Sequence, residues 1–350
     1  MKILILTLII GVSLFSKEHC IVNFNKKVCK DFKLLNGVIV KSPLSKEELK
    51  IRLNKPLKQI AFLDNTNLYL VKTDKPLEYS QELVKHDYIV YAQPDILQTR
   101  ENSSLQNYDV SKEYNLKELW KITKGEGIKI AIIDDGFNLL HEDLKGVDLS
   151  FSYDADKKTL DAKPQVIHDT HGTQVAGIIF AQHNDVGING IAPNASLIAI
   201  RQTTNISSDT VLSFTVAQKA GADIINCSWN SPLLLEPVYD VITHLSNKLA
   251  IVFAAGNNHK EITPLSIEAS IDNVITVGTD KKYSNYGKVV DFIVDSGTVT
   301  TRADGSYGHF GGTSAAAPVI SGLLALQMVM HKNSSVQEIS KIVKRVLDVK

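Results

Sequence analysis

Four short segments contain residue types that could together catalyse an acyl transfer, and each lies where an apolar run ends or begins. Asp134 directly follows the apolar run 128–133, and His171 opens a segment of small and apolar residues. Asn257 follows another apolar run, and Ser314 precedes a long apolar segment. A carboxylate, an imidazole and a hydroxyl in contact can generate a nucleophile, while an amide can donate to an oxyanion.

Each of these residues also has an ordinary structural explanation when it is taken alone. An Asp at a strand end is commonly a turn residue or a helix cap, and a Ser at a helix start is commonly an N-cap. A His can be a core or capping residue, and an Asn after Gly can shape a turn. Because all four occur in the order Asp, His, Asn, Ser on one segment, their combination indicates a catalytic site.

The elements that must position these residues form an alternating pattern from Trp120 onward. Apolar periodicity predicts the strands 128–133, 197–200, 223–227, 250–253 and 274–277, and the helices 171–181, 209–220, 238–246, 313–330 and 336–347. Such alternation predicts an α/β fold with a mostly parallel central sheet flanked by helices. Functional groups are then expected at the carboxyl ends of the strands.

The segment 36–95 shows a different pattern, which indicates a small α+β domain of its own. Strands are predicted at 37–41, 59–63, 68–72 and 88–92, and helices at 45–54 and 79–85. The resulting order is β-α-β-β-α-β, a compact split unit. The polar stretch 98–107 that follows has the composition of a linker, so we expect a domain boundary near residue 105.

The four catalytic segments resemble the motifs of the subtilisin-like serine peptidases. The matching stretches are 134–136, 171–177, 254–257 and 312–318, and the similarity runs from about Leu116 to the C-terminus. Some residues of these motifs resemble those of the kexin-like branch of that family. The resemblance implies a subtilisin-like α/β fold preceded by a small α+β propeptide domain.

The resemblance also implies a role for each residue. Ser314 is expected to be the nucleophile, His171 the base that takes its proton, and Asp134 the carboxylate that orients the imidazole. The side-chain amide of Asn257 and the backbone amide of Ser314 are expected to face the oxyanion. Asp135 occupies the variable position of its motif and is given no catalytic role.

A substrate-binding edge is implied for Ser228, Trp229 and Asn230, which would pair with extended substrate backbone. The family often has Gly where Asn230 stands, and Trp229 could equally be a core aromatic residue. No acidic cluster follows Trp229, so the paired-basic specificity of the kexin-like branch is not expected.

A calcium site is implied by the alignment of the loop 182–188 with the family's ion-binding loop. Its expected ligands are oxygen atoms of Asp143, Asn184, Gln182, Val186 and Ile188, which suit a hard cation. The alternative is that this Asn- and Gly-containing loop is only a turn.

The N-terminus has the layout of a secretory signal peptide, with Lys2, the apolar run 3–15 and then Ser16. We therefore predict a signal peptide at 1–16, a propeptide at 17–105 and a catalytic domain at 106–350. Self-cleavage is expected between about residues 97 and 110. The mature protein is expected to be secreted or periplasmic, with no membrane attachment once the signal is removed.

Charge and cysteine content limit the remaining possibilities. The chain has 38 Lys and Arg against 38 Asp and Glu, and residues 1–105 carry 16 of the basic and 11 of the acidic residues. This mild asymmetry lacks the clustered basic face of a nucleic-acid-binding protein, so no nucleic-acid partner is expected. In an exported protein Cys20 and Cys29 could pair, whereas Cys227 is expected to be a small buried hydrophobe.

These observations predict an exported, self-processing serine endopeptidase that acts on proteins or peptides through an acyl-enzyme, with its own propeptide as a partner. The alternative is a catalytically impaired binding or inhibitory protein of the same fold, which an altered triad residue would favour. An esterase is disfavoured because no Gly-x-Ser-x-Gly elbow surrounds Ser314.

Overall fold

The computed structural model describes residues 19–30, 33–98, 114 and 116–348, so the predicted signal peptide lies outside the described residues. Its first element is a hairpin of β1 (His19–Asn23) and β2 (Lys26–Lys30). A disulfide between Cys20 and Cys29, which face each other across the hairpin, joins the two strands. The disulfide between Cys20 and Cys29, which the sequence indicated only as possible, is therefore present.

A small α+β unit follows and confirms the predicted β-α-β-β-α-β order. Its elements are β3 (Lys33–Ser42), α1 (Lys46–Leu53), β4 (Leu57–Leu63), β5 (Thr66–Lys72), α2 (Pro76–Leu83) and β6 (Tyr91–Gln98). The prediction of the last strand at 88–92 was wrong, because β6 begins at Tyr91 and extends to Gln98. Gln98, the first residue of the predicted linker, therefore belongs to the sheet, and the rest of the predicted linker 98–107 lies outside the described residues.

The larger unit begins with the short helix α3 (Leu116–Leu119) and contains a seven-stranded sheet in which every neighbouring pair is parallel. Its strands, in chain order, are β7 (Lys129–Asp134), β8 (Leu149–Asp154), β9 (Ser196–Arg201), β11 (Ile224–Cys227), β12 (Ala250–Ala254), β13 (Ile275–Gly278) and β14 (Phe292–Ile293). Their spatial order is β14-β13-β12-β11-β7-β9-β8. The predicted parallel α/β sheet is confirmed.

Helices cover both faces of this sheet. They are α4 (His171–Phe180), α5 (Ser207–Lys219), α6 (Glu236–Ser246), α7 (Thr313–Met330) and α8 (Val336–Asp348). Among the described residues one helix, α7, has the length and apolar composition of a membrane span, and 83% of it is buried inside the protein. That degree of burial is what a central core helix requires.

Alternating residues of each central strand supply two separate cores, as a sheet covered on both faces requires. On β7, Ile130 and Ile132 pack with α4, α7 and α8, whereas Ala131 and Ile133 pack with α5 and α6. A hairpin of β15 (Thr298–Thr301) and β16 (Tyr307–Phe310) leads into α7. The sequence pattern did not predict this hairpin, β8 or β14.

The small unit packs against the α5 and α6 face of the large one. Ile39 and Ile96 contribute to the same core as the α5 and α6 side chains, while Val38 and Val40 face α1 and α2. The short strand β10 (Asn205–Ile206) pairs antiparallel with Leu97 and Gln98 of β6. The sheet order β10-β6-β3-β5-β4 therefore contains one strand from the larger unit.

Candidate active site

The polar residues that the sequence singled out lie at the carboxyl edge of the parallel sheet. Asp134 is the last residue of β7, Ser228 directly follows β11, and Asn257 lies three residues beyond β12. Because β7, β11 and β12 are adjacent and parallel, their carboxyl ends meet at one edge. The helices α4 and α7 begin at His171 and Thr313.

The carboxylate of Asp134 contacts the imidazole of His171 directly. Nδ1 of His171 lies 2.8 Å from Oδ1 and 3.0 Å from Oδ2 of Asp134. Both side chains are buried, and the ring packs edge-to-face on Phe310 at a centroid distance of 5.1 Å. A carboxylate in this position favours the tautomer with the proton on Nδ1, which leaves Nε2 as the basic nitrogen.

The neighbouring carboxylate, Asp135, binds the start of the helix that carries His171. Its Oδ2 accepts the backbone N–H of His171 at 3.0 Å, and its Oδ1 accepts that of Gly172 at 2.7 Å. Thr170, at the N-cap position, makes no side-chain capping bond. Burial and the nearby charge of Asp134 raise the pKa of Asp135 to about 6, against the opposing effects of His171 and the two amides.

Arg201 fixes the segment that precedes His171. It ends β9 beside the end of β7, and its guanidinium is buried among three carboxylates. It donates to Asp169 at 2.9 Å, to Asp154 at 3.1 Å and to Asp156 at 3.3 Å. Because Asp169 lies two residues before His171, this pairing restrains the chain that enters α4.

Ser314 lies in the first turn of α7, where the backbone amides of a helix have no intrahelical acceptor. Gly312, with φ of +74°, provides the left-handed turn that precedes it. The Ser314 hydroxyl is buried and donates to the backbone carbonyl of Ser228 at 2.8 Å. The partner of this hydroxyl is thus a carbonyl on the sequence-predicted substrate edge.

Asn257 is tied to the same helix start. Its Oδ1 accepts the backbone N–H of Thr313 at 3.0 Å, and the Thr313 hydroxyl accepts the N–H of Gly256 at 3.0 Å. Gly256 has φ of +96°, which permits the turn between β12 and Asn257. With Oδ1 engaged in this way, the amide of Asn257 retains its N–H groups for another acceptor.

The three residues of the predicted substrate edge occupy different environments. Trp229 is a core residue, because its side chain is buried, its indole N–H donates to the Ile133 carbonyl at 2.7 Å, and it packs on Phe253. Asn230 donates from Nδ2 to the Ala254 carbonyl at 2.7 Å. Its Oδ1 is buried and has no hydrogen-bond partner.

A cavity of about 500 Å³ opens beside Asn257 and Asn230. Its wall includes Lys260 and Glu261 from the segment after β12, and Lys30 from the N-terminal hairpin. Its charged lining thus comprises one acidic and two basic side chains.

Four of the five predicted calcium ligands lie on the loop 182–188, and the fifth, Asp143, contacts that loop from an earlier segment of the chain, but most of their side chains have protein partners. Oδ2 of Asp143 accepts the N–H of Ile188 at 2.8 Å, whereas its Oδ1 is buried without a hydrogen-bond partner. Asn184 donates to the Glu142 carbonyl and accepts from Val186 N–H, and Gln182 donates to the Phe180 and Pro193 carbonyls. Over the described ranges, no group of three or more His, Cys, Asp or Glu side chains is arranged to hold a metal ion.

Sequence reasoning missed two groups that shape this site. Asp135 was given no role because its motif position is variable. The sequence nevertheless showed a carboxylate that could accept the backbone amides of the first residues of a helix. Arg201 gave a weaker signal, a single charge that ends the apolar run 197–200. Its acceptors, Asp154, Asp156 and Asp169, are too far apart in sequence to be recognised as one cluster.

Comparison with known proteins agrees with this architecture. A sequence profile described as the subtilase family matches residues 125–347. The "Thermophilic serine proteinase" of Bacillus sp. (strain AK1) is 31% identical over 264 residues, which cover 70% of this chain and 65% of that protein. The "Calcium-dependent protease" of Nostoc sp. (strain PCC 7120 / SAG 25.82 / UTEX 2576) is 31% identical over 290 residues, which cover 67% of this chain and 43% of that one.

Solved structures resemble the fold across both units. Fervidolysin from Fervidobacterium pennivorans, a keratinolytic enzyme related to subtilisin, superposes with a TM-score of 0.73 at 19% identity, covering 90% of this chain and 57% of that one. The S393A mutant of the epidermin leader peptide processing serine protease of Staphylococcus aureus superposes with a TM-score of 0.70 at 20% identity. The match covers 90% of this chain and 93% of that one.

The fold and the edge of the sheet together define an α/β protein of the subtilisin-like class. The profile match covers more than half of the chain, and the chain therefore belongs to the subtilase family of serine peptidases. It spans about two thirds of the length of its Bacillus relative and less than half of its Nostoc relative.

Proposed function

We propose that this chain is the precursor of an exported serine endopeptidase that hydrolyses peptide bonds with Asp134, His171 and Ser314. The observation that carries the proposal is the direct contact of the Asp134 carboxylate with Nδ1 of His171, at the sheet edge where α7 presents Ser314. Membership of a family of serine peptidases supports the same assignment.

The reaction proceeds in two halves. Oγ of Ser314 attacks the scissile carbonyl carbon while Nε2 of His171 takes the hydroxyl proton, and Asp134 stabilises the imidazolium that forms. The tetrahedral intermediate collapses to an acyl-enzyme as the imidazolium protonates the leaving amine. Water, deprotonated by the same nitrogen, then attacks the ester, and the carboxylic acid product leaves Ser314 regenerated.

Attack requires the Ser314 hydroxyl to exchange its partner. In the structure Oγ donates to the Ser228 carbonyl, and we propose that rotation about the Cα–Cβ bond turns it towards His171. Rotation between staggered positions is fast on the timescale of turnover. Substrate backbone pairing with the Ser228 edge would compete for that carbonyl and favour the reactive rotamer.

Stabilisation of the oxyanion falls to groups at the start of α7. The N–H groups of Asn257 and the backbone amide of Ser314 are proposed to donate to it, with the positive end of the helix dipole alongside. Because Oδ1 of Asn257 is held by Thr313, the amide is preorganised and loses little freedom during the reaction.

The cavity beside Asn230 is proposed to receive the substrate residue that precedes the scissile bond. Asn230 narrows it where the family often has Gly, since its side chain crosses to the Ala254 carbonyl. The unpartnered Oδ1 of Asn230 would accept a hydrogen bond from a polar side chain in that position. Trp229 would contribute only its backbone.

The N-terminal unit is proposed to be a propeptide that assists folding and inhibits the enzyme until it is released. The support is its packing on α5 and α6 and the pairing of β6 with β10. The Cys20–Cys29 disulfide supports export, because such bonds persist in oxidising compartments. The expected cleavage region, 97–110, lies almost wholly outside the described residues.

The test of this function is the Ser314→Ala variant. Expressed in full, it should accumulate as a precursor from which only the signal peptide has been removed, and it should show no peptidase activity. Ser321→Ala is the matched control, because it removes another buried hydroxyl from the same helix. Efficient maturation of Ser314→Ala, or equal failure of Ser321→Ala, would contradict the assignment.

A structural calcium ion is proposed at Asp143, whose fully buried and unpartnered Oδ1 is the feature that fits a cation. The printed name of the Nostoc relative, a calcium-dependent protease, supports the proposal. A chelator should lower the thermal unfolding midpoint of the parent but not of Asp143→Asn. Asp185→Asn, an exposed change in the same loop, should keep the parent's response. An unchanged parent midpoint would remove calcium from this account.

A further inference from the structure

The disulfide-closed hairpin precedes the β-α-β-β-α-β unit, and it has its own set of contacts with the larger unit. Three successive backbone carbonyls after the Ser228–Asn230 edge accept hydrogen bonds from side chains of the N-terminal region. Lys30 donates to Pro232 at 2.8 Å, Gln98 to Leu233 at 3.1 Å and Asn23 to Leu234 at 2.7 Å. Two of these three donors belong to the hairpin.

Asn23 is the centre of this contact. It is 3% exposed, and besides its bond to Leu234 its Oδ1 accepts the backbone N–H of Glu236 at 3.0 Å, at the start of α6. The same oxygen accepts from Gln93 of β6 at 2.9 Å. One side chain thus connects the hairpin, the small unit and the larger unit, and its amide matches the groups around it on both its donor and acceptor sides.

Apolar contacts extend the same interface. Phe24, in the two-residue turn of the hairpin, packs edge-to-face on Tyr239 of α6 with ring centroids 5.3 Å apart. Phe24 and Asn25 both have positive φ, as a two-residue hairpin turn requires. A bulky residue is uncommon in that conformation, so the turn presents the ring to α6 at some conformational cost. Ile21 is buried in the core that α5 and α6 share.

The far end of the hairpin reaches the proposed substrate cavity. Lys30 contributes to the cavity wall together with Asn230 and Asn257. The disulfide holds β2 in register with β1. In this register Lys30 lies at the cavity while Asn23 is hydrogen-bonded to Leu234, a residue 211 positions later in the chain. Seating of Asn23 and placement of Lys30 are therefore mechanically linked.

We propose that residues 232–239 form a docking surface for the disulfide-closed hairpin 19–30, and that the docked hairpin restricts the substrate cavity and delays the onset of peptidase activity. The proposal rests on the proposed function for its inhibitory part. Its docking part concerns two segments of one chain and holds whether or not the protein is a peptidase.

Docking is tested in the full chain carrying Ser314→Ala, so that catalysis cannot alter the sample. Amide hydrogen exchange at Glu236 reports the bond to Asn23 directly. Asn23→Ala, and separately the double change Cys20→Ser with Cys29→Ser, should speed exchange at Glu236 about tenfold or more, because a buried hydrogen bond is lost. Val22→Ala, an exposed side chain of the same strand, should leave it unchanged. Unaltered exchange in both test variants would overturn the docking surface.

Inhibition is tested in chains that keep Ser314, by following hydrolysis of a fluorogenic peptide after self-processing. Asn23→Ala and the double cysteine variant should shorten the lag before full activity about tenfold, with the same final rate as the parent. Lys30→Ala should shorten it less, since that amine is exposed. Faster exchange with an unchanged lag would overturn the inhibitory role. Absence of activity in the parent itself would contradict the proposed function, while the exchange result would still decide the docking surface.

Discussion

Two carboxylates, the partly buried Asp135 and the buried Asp95, each bind the start of a helix in a different part of this molecule. Asp135, the residue after β7, accepts the first two backbone amides of α4 at 3.0 and 2.7 Å. Asp95, on β6 of the small unit, accepts the Ser208 amide at 2.9 Å and the hydroxyls of Ser207 and Ser208 at 2.7 and 2.6 Å, all at the start of α5. Burial raises the pKa of both carboxyl groups.

The difference lies in what each contact holds together. Asp135 joins two elements of one unit, and its loss would displace the helix that carries His171. Asp95 joins two units that we propose to separate after processing, and three bonds to one carboxylate give that joint a strong but releasable contact. In our proposal the same chemistry supports the catalytic site in one place and a temporary association in the other, which variants at the two positions can separate.

The largest effect is expected at Asp135. Asp135→Ala should lower kcat about ten- to a hundredfold with little change in KM, because displacement of a catalytic group by a fraction of an ångström is costly to the reaction. Asp135→Ser, which keeps an acceptor suited to a helix start, should recover most of the rate. Steady-state kinetics on a peptide substrate measure both. An unchanged kcat alongside a lowered melting temperature would show that Asp135 is only a stabilising residue.

A smaller effect is expected at Asp95, where substitution should make activity appear earlier instead of lowering it. Asp95→Ala leaves Ser207, Ser208 and the Ser208 amide without their acceptor in the docked state, so the small unit should dissociate about tenfold faster after processing. Activity should then appear earlier and reach the parent's final rate. Glu78→Ala, an exposed carboxylate of the small unit, is the control. A slower appearance of activity would contradict the view of this contact as a joint between separable units.

The smallest effect concerns pH. Because the pKa of Asp135 is raised from 3.8 to about 6, the native state binds more protons there than the unfolded chain does between those values. Its ionisation therefore disfavours the native state: the cost develops as pH rises from about 4 to 6, is fully present above 6, and is relieved on acidification. Denaturant unfolding of the parent relative to Asp135→Asn should show this loss of stability between pH 4 and 6. A flat difference would contradict the assigned pKa.

Peptidase activity should rise with pH in the range where the stability contribution of Asp135 falls. Protonation of Asp135 weakens its hold on the His171 and Gly172 amides, and protonation of the imidazole removes the base. Because neutral Asp135→Ser is expected to keep most of the rate, protonation of Asp135 should lower activity only in part, and the acid limb of log kcat/KM should approach a slope of about one, set by the imidazole, in both the parent and Asp135→Ser.

The sequence predicted the fold well where periodicity is strong. Five strands of the central sheet and its long helices were predicted within a few residues, because buried parallel strands are continuous apolar runs. β8, with the mixed sequence Leu149–Asp154, and the two-residue β14 lacked that pattern. β6 was misplaced because its polar end pairs with β10, a contact more than a hundred residues away.

The candidate site was predictable in its motifs but not in its supporting contacts. Asp134 and His171 were recognised by segments of local sequence, and their contact follows from the topology. The roles of Asp135 and Arg201 depend on which groups face each other after folding, which no local pattern contains. The same holds for Asn23, whose partners lie on β6 and α6.

The most direct test of the central claim is covalent labelling of the processed protein with a fluorophosphonate, which reacts with an activated serine hydroxyl, followed by mass spectrometric mapping. This account predicts one modified residue, Ser314, with labelling lost in His171→Ala and strongly slowed in Asp134→Ala, while Ser321 stays unmodified. Labelling of another serine, or equal labelling of Ser314 in the absence of His171, would contradict it.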